Sequence, residues 1–308
     1  MGKIEAVRHN VRKYAVTGTS DEPVVGRSEG NGAVVQRVSG AILRGLLVAG
    51  LIIAPAALVP GMTADAQQTV ALVALFAALL TCVEYNASAP GLIEFRDAPP
   101  FNRIRFGLIA AILLSLCLIE RGRTDPSNFS QLVDAVGYLV GQAMDVPLSP
   151  VHLIVTTLAA SATEAEVAAL RSAAGIAYLI TLLGLVLFWA LLRGWPNPAR
   201  VFNVWVNLPT FDPTSGSDIV ARLERDARIN LALGFILPFL MPMLARVALG
   251  GIDPQALTAP HVMIWVVAAW SFLPASLLMR GVALQRVAQM VRAKIRASQS
   301  AHADALAA

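Results

Sequence analysis

The chain has 308 residues, 56% of them hydrophobic and only 14% charged, with a mean hydropathy of +0.64. A soluble domain covers its surface with roughly 25% charged residues, so a water-soluble globule is excluded. The net charge of +4 comes from basic residues placed beside apolar runs, which gives no support to a nucleic-acid partner.

Residues 1–39 read as a basic N-terminal segment and linker. Ile4, Val7, Val11 and Tyr14 fall on one helical face, with Arg8, Arg12 and Lys13 nearby. Such a helix rests on an anionic membrane surface; a partly ordered tail is the alternative. Residues 17–32 are rich in Gly, Ser, Thr and acidic residues and read as a flexible linker. No small-residue cleavage pattern follows the first apolar run, so no secretory signal is expected.

The rest, 40–297, is predicted to be a six-helix membrane domain. The apolar runs lie at 41–60, 68–84, 104–120, 173–192, 229–249 and 261–280. A helix of about 20 residues crosses a ~30 Å hydrocarbon core. The runs lack the alternation of barrel strands, so they must be helices. The expected fold is therefore all-α: a polytopic integral membrane protein with amphipathic interfacial helices.

Orientation follows from the arginines. With the N-terminus inside, the cytoplasmic face holds 20 of the 24 basic residues: Lys3 to Arg44, the 85–105 loop, the 193–228 loop and Arg280 to Arg296. The far side keeps Arg121, Arg123 and Arg171, with Arg246 near a helix end, and eight acids. That asymmetry obeys the positive-inside rule and predicts both termini in the cytoplasm.

Between the third and fourth runs lies an extracytoplasmic segment, 121–172. Phe129, Leu132, Val136, Leu139 and Val140 mark an amphipathic helix over 128–145. Residues 147–162 form a weaker apolar run, short, carrying Pro147 and Pro150. A crossing there would carry ten basic residues of the later segments outside, so the run is read as interfacial or re-entrant.

The middles of the six runs hold no Asp, Glu, Lys, Arg or His. An ion-coupled pump needs such groups or an unwound polar helix, so this argues against ion-driven transport. The breakers Pro55, Pro238, Pro242 and Pro274 either kink helices against packed neighbours or open a cavity. Cys82 and Cys117 lie at opposite depths, too far apart for a disulfide.

The densest polar stretch joins the second and third runs. It contains Glu84, Tyr85, Asn86, Glu94, Arg96, Asp97, Phe101, Asn102, Arg103 and Arg105, with prolines at 90, 99 and 100. Arginines beside aromatics suit lipid phosphates or an acidic partner surface. Three acids, Glu84, Glu94 and Asp97, offer an alternative role in holding a divalent cation. A third reading pairs Glu94 with Arg96 and Asp97 with Arg103 and leaves the aromatics Tyr85, Phe95, Phe101 and Phe106 as headgroup anchors. The 193–228 loop is similar, with Trp195, Phe202, Trp205 and Phe211 as anchors and a helix, capped near Ser217 or Asp218, leading into the fifth run. Within it Glu224–Arg228 and Arg222–Asp226 are spaced for helical pairs. The two loops together are expected to form one compact face. After 280 the last helix runs on through Arg296, and 298–308 is expected to be a disordered tail.

No phosphate loop, HExxH, GxSxG or CxxC is present, and the four histidines have no ligand spacing. No metal, cofactor or catalytic residue is assigned. Twenty-one Arg against three Lys, with abundant Ala, suit a GC-rich bacterial genome. The expected role is an assembly, scaffold or regulatory component of a bacterial inner membrane. Its expected partners are membrane lipids and another membrane or cytoplasmic protein. A non-ion-coupled small-solute or lipid transporter and an interfacial lipid-modifying enzyme are the alternatives.

Overall fold

The computed structural model describes residues 31–88, 91–158, 163–193, 195, 204–209, 211, 219–248 and 259–307. Residues 1–30 of the N-terminal segment and linker, the caps expected near 217 and 218, Phe202 and the side chains of Trp205 and Arg246 lie outside the described residues, while residues 31–39, expected to belong to the linker, are helical. The chain divides into two units, 1–40 and 41–308. All described elements are helices: α1 (Asn31–Leu58), α2 (Ala64–Asn86), α3 (Phe101–Gly122), α4 (Asn128–Met144), α5 (Pro150–Leu158), α6 (Glu164–Leu192), α7 (Val204–Asn207), α8 (Ile219–Ala248) and α9 (Pro260–Ala307). Six of these, α1, α2, α3, α6, α8 and α9, are long and apolar enough to cross a membrane.

The short polar connections set the helix starts. Thr63 caps α2 by accepting from Ala66 N. Ser127 and Ser130 form a capping box on α4, and Thr163 and Glu166 form another on α6. The second box begins α6 nine residues before the apolar run at 173, because Glu164, Glu166 and Arg171 lower its hydropathy without breaking the helix. The last helix also outruns expectation. α9 continues to Ala307, so the expected disordered tail is instead helical. Residues 298–307 contain four alanines and neither Gly nor Pro, and alanine is the strongest helix former.

Within 147–162 the described helix is too short to cross a bilayer. α5 has nine residues, about 13.5 Å of helix, under half a hydrocarbon core. Its Val151, Ile154, Val155 and Leu158 are buried against the bundle. Burial, rather than contact with the interface, is what lets so short an apolar helix persist. The outer face of α4 is apolar and exposed at Phe129, Leu132 and Leu139, and its inner face is glycine.

Small residues govern how closely the helices approach, since lipid tails offer no hydrophobic drive to bring them together. Gly137 and Gly141 of α4 meet the backbone of α6 at Ser172 and Arg171, and Gly175 of α6 meets α4 between those two glycines. Gly234 of α8 sits against the Pro274 carbonyl and Leu278 of α9, and Gly281 sits against Ala227 and Leu231. Gly45 of α1 is pressed on Ala78 and Cys82 of α2, and the Cys82 thiol donates to the Ala41 carbonyl at 3.5 Å. Elsewhere α2 is almost wholly exposed, with Leu72, Leu75, Phe76 and Leu79 open to the bilayer. Cys82 and Cys117 are both free thiols.

Pro238 and Pro242 are built into the α8–α9 contact. Pro242 has no N–H for the Pro238 carbonyl, and the Trp270 indole supplies one at 2.9 Å. Tyr178 stacks on the same indole. Trp270→Phe is therefore expected to lower stability by about 1 kcal/mol, and Pro242→Ala to recover much of that loss by restoring a backbone donor. Thermal unfolding of the four proteins of this cycle checks it; additive losses would show that the bond carries nothing.

Candidate functional site

Glu84, one turn before the end of α2, organises the loop that follows. Its buried carboxylate accepts N–H bonds from Gly91, Leu92 and Ile93 at 2.9–3.2 Å, folding the chain back over the helix end. Arg96 closes the same end. Its Nη1 donates to the carbonyls of Glu84 (3.1 Å) and Ala87 (2.5 Å), which the helix leaves unpaired. Its Nε lies 3.3 Å from Asp97 Oδ1.

Phe95 takes a left-handed backbone, φ 54°, which turns its ring inward to 1% exposure. The ring packs on Phe101 at 4.3 Å and edge-on to Trp195 at 6.2 Å, and Phe101 meets Phe188 at 5.7 Å. Phe211 is buried beneath Arg222. These aromatics are the loops' own core and do not anchor at headgroup level as expected. Composition alone does not distinguish a ring facing lipid from one facing the next loop. A crevice beside them, lined by Pro100, Phe101, Leu192, Trp195 and Ala283, has no room for a water molecule.

Asn207, at the end of α7, ties the two loops together. Its carbonyl accepts from Phe95 N at 2.7 Å and its Oδ1 from Asp97 N at 3.0 Å. The described parts of the 84–106 and 193–228 segments thus meet through Asn207. The Glu94 carboxylate receives Arg280 of α9 through both Nε (2.6 Å) and Nη2 (2.7 Å), and the Glu94 carbonyl receives Asn102 Nδ2 at 2.8 Å. Arg105 Nη2 donates to Ser276 Oγ at 2.5 Å, and its guanidinium lies over the Phe101 ring. Arg44 lies 4.6 Å over the Tyr85 ring.

Of the residues singled out by sequence, Glu84, Tyr85, Glu94, Arg96, Asp97, Phe101, Asn102 and Arg105 therefore meet in one cluster. Asn86 and Arg103 are exposed beside it. Two expected pairings are corrected. Glu94 engages Arg280, 186 positions away, and Asp97 lies against Arg96, while Arg103 makes no ion pair among the described residues. In α8, Glu224 likewise reaches Arg292 of α9, and Asp226 lies beside Arg225. Within that cluster the carboxylates of Glu84, Glu94 and Asp97 do not converge: each serves a different partner, and no metal-competent group of three occurs among the described residues. Sequence reasoning missed Arg280, Ser276 and Asn207. Ser276 and Arg280 stand four apart at the end of an apolar span, which places them on one helix face and was a readable signal.

A second polar cluster occupies the other end of the bundle. Asp145 accepts from Arg171 Nε at 2.8 Å, and its Oδ1 lies 2.7 Å from His152 Nδ1. Nearby, Glu120 is buried with Arg123 at 3.6 Å. Burial pushes the Asp145 carboxyl up, but the His152 and Arg171 bonds outweigh it and hold the group below the usual carboxylate range. A lowered folded-state value stabilises the protein above the unfolded value, about pH 3.9, and that stabilisation is lost as pH falls through the folded one. The wild type is expected to melt above Asp145→Asn at neutral pH, with the gap closing below about pH 4. A gap that is constant from pH 7 to pH 3 would refute the linkage.

No family model, no curated protein and no solved structure matches the chain.

Proposed function

We propose that the protein is a multi-pass component of a bacterial inner membrane, with both termini in the cytoplasm, and that it serves as a scaffold or assembly partner through its arginine-rich face. The observation that carries this reading is that the face is fixed and filled. Glu84, Arg96, Asn207 and the Glu94–Arg280 pair pin the loops in place, and aromatic rings occupy the space beneath. A surface of this kind suits docking better than turnover. Around it stand exposed Arg103, Arg193, Arg225, Arg228, Arg292, Lys294 and Arg296, a pattern that fits an acidic partner and steers its approach. The inside placement rests on the positive-inside bias, and the bacterial assignment on the excess of Arg over Lys.

The test is purification of tagged protein at native expression in mild detergent, followed by mass spectrometry of stoichiometric companions. A defined partner that is lost on Arg292→Glu, Lys294→Glu and Arg296→Glu together, and that dissociates as salt rises, is expected. A stable species of this chain alone would overturn the reading.

A further inference from the structure

Arg105 is the anomaly of the arginine-rich end. It lies four residues into a membrane-spanning helix, yet it forms no salt bridge among the described residues. Among the described residues its one hydrogen bond goes to a neutral hydroxyl, Ser276 Oγ, and its Nε is buried with no acceptor. The carboxylate whose charge reaches it, Glu94, already gives both oxygens to Arg280. A buried guanidinium that shares its counter-charge with a second arginine is costly and is normally completed by an anion.

Its surroundings describe that anion. The Tyr85 phenol lies within the electrostatic reach of Arg44, Arg96 and Arg105. Arg44 stands over its ring and is itself exposed. α3 begins here without a side-chain cap and without an acid in its first turn, so the positive end of its dipole adds to the same region. Guanidiniums, a phenol and the second N–H of the Asn102 amide, whose first goes to the Glu94 carbonyl, supply donors matched to the oxygens of a phosphate.

We propose that Arg44, Tyr85, Asn102 and Arg105 form a binding site for a phosphate group at the junction of α1, α2 and α3, with an anionic phospholipid as the source. The membrane flank argues for the lipid. Leu79, Leu80 and Val83 on α2 and Leu43 and Leu47 on α1 are apolar and exposed, the first three within two turns of Tyr85. An acyl chain would run along them while its phosphate met the arginines. The site is independent of any protein partner on the same face.

The experiment uses the purified full chain in detergent, with phosphatidylglycerol titrated and read by native mass spectrometry, and with inorganic phosphate titrated as a competitor. One tightly retained phosphatidylglycerol is expected. Arg105→Gln and Arg44→Gln should each weaken it about 10-fold, and Tyr85→Phe about 3-fold. Displacement by millimolar inorganic phosphate would keep the site and change its source to a soluble anion. Arg105→Gln can disturb packing at Ser276, so the surface variants decide if it fails to fold. Equal affinity in wild type, Arg44→Gln and Tyr85→Phe, or no binding of either ligand by wild type, would overturn the proposal.

Discussion

Replacing Gly175 by alanine is expected to be the most damaging single-methyl change in the chain. A Cβ there would meet the Gly137 carbonyl oxygen and the Gly141 nitrogen and would stand 2.7 Å from Gly141 Cα. All three are backbone, so no side chain can swing away. α4 would have to withdraw from α6 as a body, breaking the Ser172 Oγ bond to the Asp134 carbonyl and straining the Arg171–Asp145 pair. Overpacking of this kind costs about 3 kcal/mol, and reduced accumulation in the membrane should accompany a lower unfolding temperature. Gly50→Ala is the matched control, because nothing lies within 4 Å of its added methyl. Equal stability of the two variants would show that the α4–α6 crossing is looser than described.

The second large effect belongs to the pair that fastens the loop to α9. Arg280→Met leaves Glu94, whose side chain is only 12% exposed, facing the bundle without its bidentate partner. Removing one member of a buried pair costs 3–5 kcal/mol. Arg280 is itself about a third exposed, so solvent screening brings the expectation down to about 2 kcal/mol. The double variant Glu94→Leu, Arg280→Met should recover part of the loss, because the pair is then removed together, and only part because Arg105 also loses the charge of Glu94. Thermal unfolding reports the energies, and amide exchange at 91–98 reports whether the loop has come loose. An Arg280→Met protein as stable as wild type, with an unchanged loop, would mean that Glu84 and Asn207 hold the segment alone.

The sequence was most informative where the bilayer is the selecting solvent. Every apolar run became a long helix, since a spanning segment without strand alternation has no other way to satisfy its backbone. The ends were less legible. Hydropathy measures the thickness of hydrocarbon and not the length of helix, so α6 begins before Glu166 and α9 outlives Arg296. The local cluster at 84–106 was visible as a density of charge and aromatics. Its partners were not, because Arg280 and Asn207 come from far along the chain, and no local spacing encodes them. The Gly137–Gly141 spacing was in plain view as a close-packing motif, yet its mate Gly175 has Arg171 and Leu179 four positions away and forms no such motif.

α9 has one mechanical consequence. Its 48 residues make a rod about 72 Å long, and its only internal proline is Pro274. From that hinge to Ala307 the arm measures about 50 Å. A change of about 10° in tilt at the proline, the sort that a thicker or thinner bilayer demands, sweeps the far tip through about 9 Å. α8 is clamped to the same arm by Glu224 and Arg292, so the two would swing together. Membrane thickness would thereby be converted into the position of an arm that carries Arg286, Arg292, Lys294 and Arg296.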